Sequence, residues 1–216
     1  MSKARNQHWL PQFYLRYFAV SGYRRTKNAK IWLADFETNT AEEKKVAEVA
    51  AAEFLYSHVR SDGSRSYEVE DRLGKLESIV SNLYPRIAEG YPDLAESWGI
   101  KKFAAVFVAS LMLRHPSMEE QNKETHRRMI EAYSEISTET GENTGLTHLI
   151  LNGVAHPFDD SNFEEYRNAD NNDMKKMFAE QIHPLAIELS DHLFKKRWIF
   201  LFTESPAFFT SDTPSR

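Results

Sequence analysis

Two side chains near the start of the chain have the chemistry that acid–base and anion-binding sites use: His8 and Arg16. A histidine titrates near neutrality and can serve as general acid, general base, phosphate ligand or metal ligand. An arginine grips phosphate or carboxylate through two parallel N–H donors. Arg16 follows Gln12 by four residues, so the two share one face of any helix formed there, with Tyr14 between them in sequence. Arg114 is a second anion clamp in prospect, at the end of an apolar segment. Asp212, inside Thr210-Ser211-Asp212-Thr213-Pro214, brings a carboxylate and hydroxyls to the end of an apolar run, where ligands often bind. The expected catalytic set is therefore His8, Arg16, Arg114 and Asp212, with Gln12, Tyr14, Arg24, Arg25, Thr210 and Ser211 as binding residues.

Each of these residues also has a structural reading. His8 can cap the entering helix, and Arg16 can pair with a buried acid. Asp212 before Pro214 is what an Asx or Ser/Thr turn requires. Arg114 can neutralise the last carbonyls of its helix. Glu70 and Glu77 lie one heptad apart and project from nearby sides of one helix. With Asp212 they are the candidate ligands for Mg²⁺ or Mn²⁺; otherwise they belong to a solvated face. The eight histidines form no His-Glu-x-x-His motif, and no phosphate loop, nucleophile elbow or dinucleotide fingerprint occurs.

The opening residues His8, Pro11, Tyr14, Leu15, Arg16 and Phe18 match the pattern His-x-x-Pro-x-x-Tyr-Leu-Arg-x-Phe. They are followed by Ile31-Trp32-Leu33, the acids Glu70 and Glu77, Arg114-His115-Pro116, and Thr210-Ser211-Asp212-Thr213-Pro214. In content and order this resembles a widespread bacterial family known as a domain of unknown function, over essentially the whole chain. Members of that family usually continue past the Ser-Asp-x-Pro motif, whereas this sequence stops at Arg216, as a C-terminal truncation relative to the family would. The resemblance implies a setting among mobile elements and phage-defence genes and brings no established reaction.

The elements that must position these residues follow from periodicity and breakers. Pro11 suits the first turn of a short helix over 11–18, with Gly22 as its stop. Residues 31–36 read as a strand. Thr40 and Glu43 form a capping box that opens a helix to about residue 56, supported by the alanines of 47–52. A turn is expected over 61–64. Val69, Leu73, Leu76, Val80, Leu83 and Ile87 make one apolar stripe of a helix that Pro85 kinks or shortens and Tyr91-Pro92 breaks. That stripe is short for a coiled-coil seam and is expected to face the chain's own core, although a homo-oligomer stays open. Residues 100–113 are apolar almost all round and predict a buried central helix, which Pro116 ends or bends. Ser117 and Glu120 open a polar helix to about residue 136.

A hinge loop over 138–145, a short helix over 146–154 and a solvated acidic loop over 157–173 come next. Met174 to Leu193 carry the spacing of a further helix, kinked at Pro184. Two strands, 198–203 and 207–210, are expected across Glu204-Ser205-Pro206. The strand candidates sit at the two ends and do not alternate with helices. The expected fold is therefore α+β and mostly α: one domain over 1–216, a helical bundle with a small sheet formed by N-terminal and C-terminal strands.

Bulk composition narrows the function classes. With 41% hydrophobic and 27% charged residues the chain has a globular, not a disordered, composition. Without cysteine it has neither disulfides nor thiolate chemistry, in keeping with a reducing, cytoplasmic location. No secretory signal or membrane-spanning run is visible. A net charge of −5 argues against a generic nucleic-acid binder, but its distribution is uneven. Lys3, Arg5, Arg16, Arg24, Arg25, Lys27 and Lys30 all precede Asp35, the first acid. This basic, aromatic start points to an enzyme or toxin-like effector acting on nucleic acid or a nucleotide. The alternative is a non-catalytic sensor or protein-interaction module in which the same residues are structural.

Overall fold

The computed structural model describes residues 5–20, 26, 28–88, 97–140, 147–151, 153–157, 163–199 and 210–211. The fold is α+β and mostly α. Strand β1 (Asn6–His8) leads into helix α1 (Gln12–Leu15), which tightens into a 3₁₀ turn over Arg16–Phe18. Pro11 stands at the N-cap, so its missing N–H costs no helical bond. A hairpin follows, β2 (Lys30–Asp35) with β3 (Thr40–Lys45), then a 3₁₀ turn over Val46–Glu48 and strand β4 (Ala51–Glu53). Helices α2 (Glu68–Ala88), α3 (Trp98–Leu113) and α4 (Pro116–Thr140) come next, then hairpin β5 (His148–Leu151) with β6 (Val154–Pro157), and helices α5 (Phe163–Arg167) and α6 (Asn171–Lys195).

The chain divides into two compact units, one made of 1–115 and 179–216, the other of 116–178. In the first, the N-terminal motif supplies part of the core. Leu10 and Leu15 are buried together with Ile31, Val46, Val80, Phe107 and Leu111, and Phe13, Tyr14 and Phe18 pack against them. Tyr84 of α2 stands edge-on to Phe13, Tyr14 and Tyr17. Each buried leucine of this cluster stabilises the fold by about 1.5–3 kcal/mol. The apolar stripe of α2 faces inward as expected, with Val69, Leu73 and Val80 buried. Helix α3 is capped by Ser97, whose hydroxyl accepts from the Ile100 N–H at 3.4 Å, and it runs to Leu113 before Arg114 turns the chain.

The helix expected over 40–56 is a correction. Residues 40–45 form β3, in register with β2 from Lys30↔Lys45 to Asp35↔Thr40, and Lys30 pairs with Glu43 at 2.8 Å. Strand β4 pairs antiparallel with β1, His8 opposite Ala51 and Asn6 opposite Glu53. Trp9 N–H donates to Ala50 O at 2.9 Å, and Phe54 N–H to Arg5 O at 2.9 Å. Helix propensity is worth only tenths of a kcal/mol per residue, so satisfying the N-terminal backbone by strand pairing outweighs it. Ala50 and Phe54 carry the bends on either side of β4, with φ of 53° and 51°.

In the second unit α4 runs on to Thr140, past the expected end near 136. Its exposed face is laced by ion pairs of Arg127 and Arg128 with Glu124. Met129, Tyr133 and Phe163 form its small core. Two further expectations are corrected here. The short helix over 146–154 is instead the β5–β6 hairpin, turned at Gly153 with φ +79°. The acidic stretch over 157–173 is not all loop: α5 occupies Phe163–Arg167, and α6 begins at Asn171. Pro85 and Pro184 each lie inside a continuous helix. Among the described residues each sheet is two-stranded: β1 with β4, β2 with β3, and β5 with β6. Of the expected C-terminal hairpin, the segment 200–209 lies outside the described residues, as do Gly22 and Tyr91-Pro92. No helix among the described residues is long and apolar enough to cross a membrane.

Candidate functional site

In the first unit an open cleft of about 390 Å³ lies between the start of the chain and α2. Asn6, His8, Gln12 and Phe13 form one wall; Glu70, Gly74, Glu77, Ser78 and Ser81 of α2 form the other, and Arg114 closes it. The α2 residues fall at i, i+4, i+7, i+8 and i+11, a single helical face turned away from the apolar stripe.

Arg114 organises the cleft. It is 2% exposed and reaches Glu77 Oε1 through Nη1 at 2.7 Å. Its Nη2 donates to the main-chain carbonyl of His8 at 2.6 Å. Tyr56 O–H donates to the Arg114 carbonyl at 2.7 Å, and Arg114 Nε lies 3.5 Å from the Tyr56 hydroxyl. Burial works against the Arg114 charge, and the Tyr56 and Glu77 oxygens more than offset it, so its pKa stays above the ordinary arginine value. Burial likewise raises the Tyr56 phenol, which stays neutral. Gln7 fixes the other end of this arrangement: it is fully buried, gives its amide N–H to Ser57 Oγ at 2.7 Å and accepts the Tyr56 N–H at 2.7 Å.

Glu70 behaves differently from Glu77. One of its oxygens, Oε2, is buried without a hydrogen-bond partner. Burial pushes its carboxyl up to about 7; the Arg114 charge pulls against that, and Glu77 and Asp71 add to it. Glu77 faces a guanidinium at 2.7 Å, whereas Glu70 is poised between acid and carboxylate near neutrality. His8 donates from Nε2 to Ala47 O at 3.2 Å. Burial lowers its pKa, opposed by that hydrogen bond and by Glu77, so the ring is neutral at pH 7. A neutral histidine and a half-ionised glutamate facing one open space can accept, hold and return a proton.

Of the expected site residues, His8, Gln12, Glu70, Glu77 and Arg114 converge on this cleft. Arg16 does not line it; its Nη2 sits 3.5 Å from Gln12 Oε1, and its Nε is buried without a partner. Tyr14 O–H and Thr210 Oγ1 are 2.8 Å apart, which joins the first motif to the last. Ser211 is exposed. Asp212, Arg24 and Arg25 lie outside the described residues. Among the described residues no group of three or more His, Asp or Glu is arranged to hold a metal ion, and Asp212 was the third member of the expected set. Arg5 and Lys30 of the basic start pair with Glu53 and Glu43.

A family model described as "Protein of unknown function (DUF4238)" matches residues 6–216. The chain belongs to this family. No curated protein and no solved structure matches it. The match begins at Asn6, so the family region contains every residue that lines the cleft. Sequence reasoning reached the charged members of this site and missed Tyr56, Gly74, Ser78 and Ser81. The signal for the last three was the polar, small-residue stripe that shares α2 with the apolar one.

Proposed function

We propose that this DUF4238 chain is an intracellular enzyme acting on nucleic acid or a nucleotide, with Glu70 as the group that moves the proton. The observation that carries this reading is the Glu70 carboxyl itself: one oxygen buried and unpartnered, at the wall of an open cleft, within the field of the Glu77–Arg114 pair. Structural carboxylates are ordinarily ion-paired or solvated, while perturbed ones cluster at reactive sites. Ionised, Glu70 takes a proton from a substrate O–H or N–H; protonated, it returns one to a leaving group. Arg114 is a positioning residue: it holds Glu77 and the His8 backbone in place. The acid-free start of the chain, with Arg24, Arg25 and Lys27, supports a phosphate-bearing substrate.

The test is turnover of RNA, single-stranded DNA and a panel of nucleotides by purified protein, with products separated chromatographically. Glu70→Gln is expected to lower any turnover by about 10²–10⁴-fold while the protein stays folded, the usual worth of a positioned acid or base. Unchanged turnover in that variant would overturn the assignment. A second reading, a non-catalytic sensor or interaction module, is favoured by one observation: the buried Arg114 ties β1, α2 and Tyr56 together. Under it, no substrate turns over, and substitutions in the cleft alter stability alone.

A further inference from the structure

The His8 ring is fixed at one nitrogen and open at the other. A carbonyl oxygen only accepts, so the 3.2 Å contact with Ala47 O places the ring proton on Nε2. Nδ1 then carries the lone pair. Among the described residues nothing else hydrogen-bonds to this ring, and His8 lines the cleft. The main chain around it is held as well. Arg114 Nη2 donates to the His8 carbonyl at 2.6 Å, and the Trp9 N–H donates to Ala50 O at 2.9 Å. A ring clamped through its donor and free at its acceptor is arranged to receive a proton at a set position.

Glu70 stands on the other wall, and burial of its unpartnered Oε2 favours the protonated carboxyl. Donors lie between the two. Asn6 and Gln12 line the cleft with amides, and Arg114 Nη1, although 2.7 Å from Glu77 Oε1, makes no hydrogen bond. Such donors suit the oxygens of a phosphate ester.

We propose that His8 Nδ1 is the general base, and Glu70 the general acid, of a displacement at a phosphate ester. An attacking O–H, from water or a ribose hydroxyl, gives its proton to Nδ1 as its oxygen bonds to phosphorus. The bond from phosphorus to the leaving oxygen breaks, and that oxygen takes the Glu70 proton. His8 then gives its proton to solvent and Glu70 regains one from solvent, which closes the cycle. This rests on the reading of the cleft as the place where Glu70 transfers a proton, and it supplies the second group. The charges that His8 faces are Glu77, which favours its protonation, and Arg114, which opposes it; burial outweighs both and keeps the ring in the basic form at pH 7.

Two measurements test the assignment. Long-range ¹⁵N spectra of the histidine rings are expected to show His8 with its proton on Nε2 at pH 7. Turnover of RNA, single-stranded DNA and a panel of nucleotides should give, for the substrate turned over fastest, a kcat/KM that rises with pH on a limb centred below 6.5. His8→Gln keeps a donor for Ala47 O and is expected to fold. It should lower turnover by about 10²–10⁴-fold and erase the rising limb. The assignment is overturned if His8 carries its proton on Nδ1, if the wild-type profile lacks that limb, or if folded His8→Gln turns over as wild type does. If His8→Gln does not fold, the tautomer and the wild-type profile decide. Turnover lost in Glu70→Gln but indifferent to His8→Gln sinks the base alone. Turnover indifferent to Glu70→Gln, or no turnover of any substrate, sinks the catalytic reading of Glu70 and this pairing with it.

Discussion

Arg114 Nη2 donates to the main-chain carbonyl of His8 at 2.6 Å, across more than a hundred residues of sequence. Through this bond the residue after α3 holds strand β1, from which the chain runs into α1. The same guanidinium meets Glu77, whose side chain is 27% exposed, at 2.7 Å. Removing it leaves a carboxylate and a carbonyl without their partner in a largely buried setting. Arg114→Ala is expected to destabilise the protein by about 3–5 kcal/mol, the cost of breaking a buried pair from one side. Urea denaturation reads this directly, and a loss below ~1 kcal/mol would show that the bond is incidental.

Glu70 gives stability a pH dependence whose sign follows from its raised pKa. In the unfolded chain its carboxyl titrates near the ordinary value of 4.5; in the folded chain it does so near 7. Between these values the folded state keeps a proton that the unfolded state has lost. The Glu70 contribution is therefore fully present below about pH 4.5 and disappears as the pH rises to about 7. Glu70→Gln should flatten this segment of a stability-against-pH curve. A wild-type curve with no downward component there that Glu70→Gln removes would contradict the environment assigned to Glu70.

The fold was legible where side-chain period and burial agree. The stripe from Val69 to Ile87 reads as helix because its apolar spacing is what α2 buries, and the apolar run at 100–113 reads as α3 for the same reason. The 40–56 segment failed because its cues, the Thr40–Glu43 capping spacing and the alanine content, are local to it. What decides its conformation is pairing outside the segment, of residues 40–45 with 30–35 and of residues 51–53 with 6–8. The candidate site divides in the same way. Charged residues announce themselves by type, so His8, Glu70, Glu77 and Arg114 could be named. That Arg114 spends itself on a backbone carbonyl, and that Tyr56 shares it, depends on tertiary geometry that no spacing encodes.

The β5–β6 hairpin shows a legible cue that was passed over. Asn152-Gly153 is the dipeptide that two-residue hairpin turns prefer. Gly153 has φ +79°, where an L side chain is strained although no neighbour stands within 4 Å of its Cβ position. Gly153→Ala should therefore cost about 1–2 kcal/mol through the backbone alone. Hydrogen exchange in β5 and β6 should rise while exchange in α2 and α3 stays unchanged. Wild-type protection in the hairpin of this variant would remove the turn argument.

Tyr56→Phe separates the hydroxyl from the ring. The phenol donates to Arg114 O at 2.7 Å from a fully buried position, and its ring lies beside the Arg114 guanidinium. The variant keeps the packing and leaves the Arg114 carbonyl without that donor. The expected loss is about 1–3 kcal/mol. Combined with Arg114→Ala, which keeps the main-chain carbonyl, the two losses should fall short of their sum only by the worth of the 3.5 Å contact between Arg114 Nε and the Tyr56 hydroxyl. Strict additivity in denaturation experiments would mean that the two residues act independently.

Tyr14 and Thr210 connect α1 with the far end of the chain, their hydroxyl oxygens 2.8 Å apart. Burial raises the Tyr14 phenol above its ordinary pKa of 10, and the Thr210 contact only partly offsets that. The folded state thus resists ionising Tyr14, and this contribution to stability is lost as the pH rises above about 10. A double-mutant cycle of Tyr14→Phe with Thr210→Val isolates the contact. Each single change should cost about 0.5–1.5 kcal/mol, with a coupling of similar size, because either one alone removes the same hydrogen bond. Zero coupling would place Thr210 off Tyr14 in solution. A measured coupling, with nucleotide turnover unaffected by Tyr14→Phe, would make this pair of motif residues a clasp that joins residues 14 and 210 and would leave the chemistry to the cleft around Glu70.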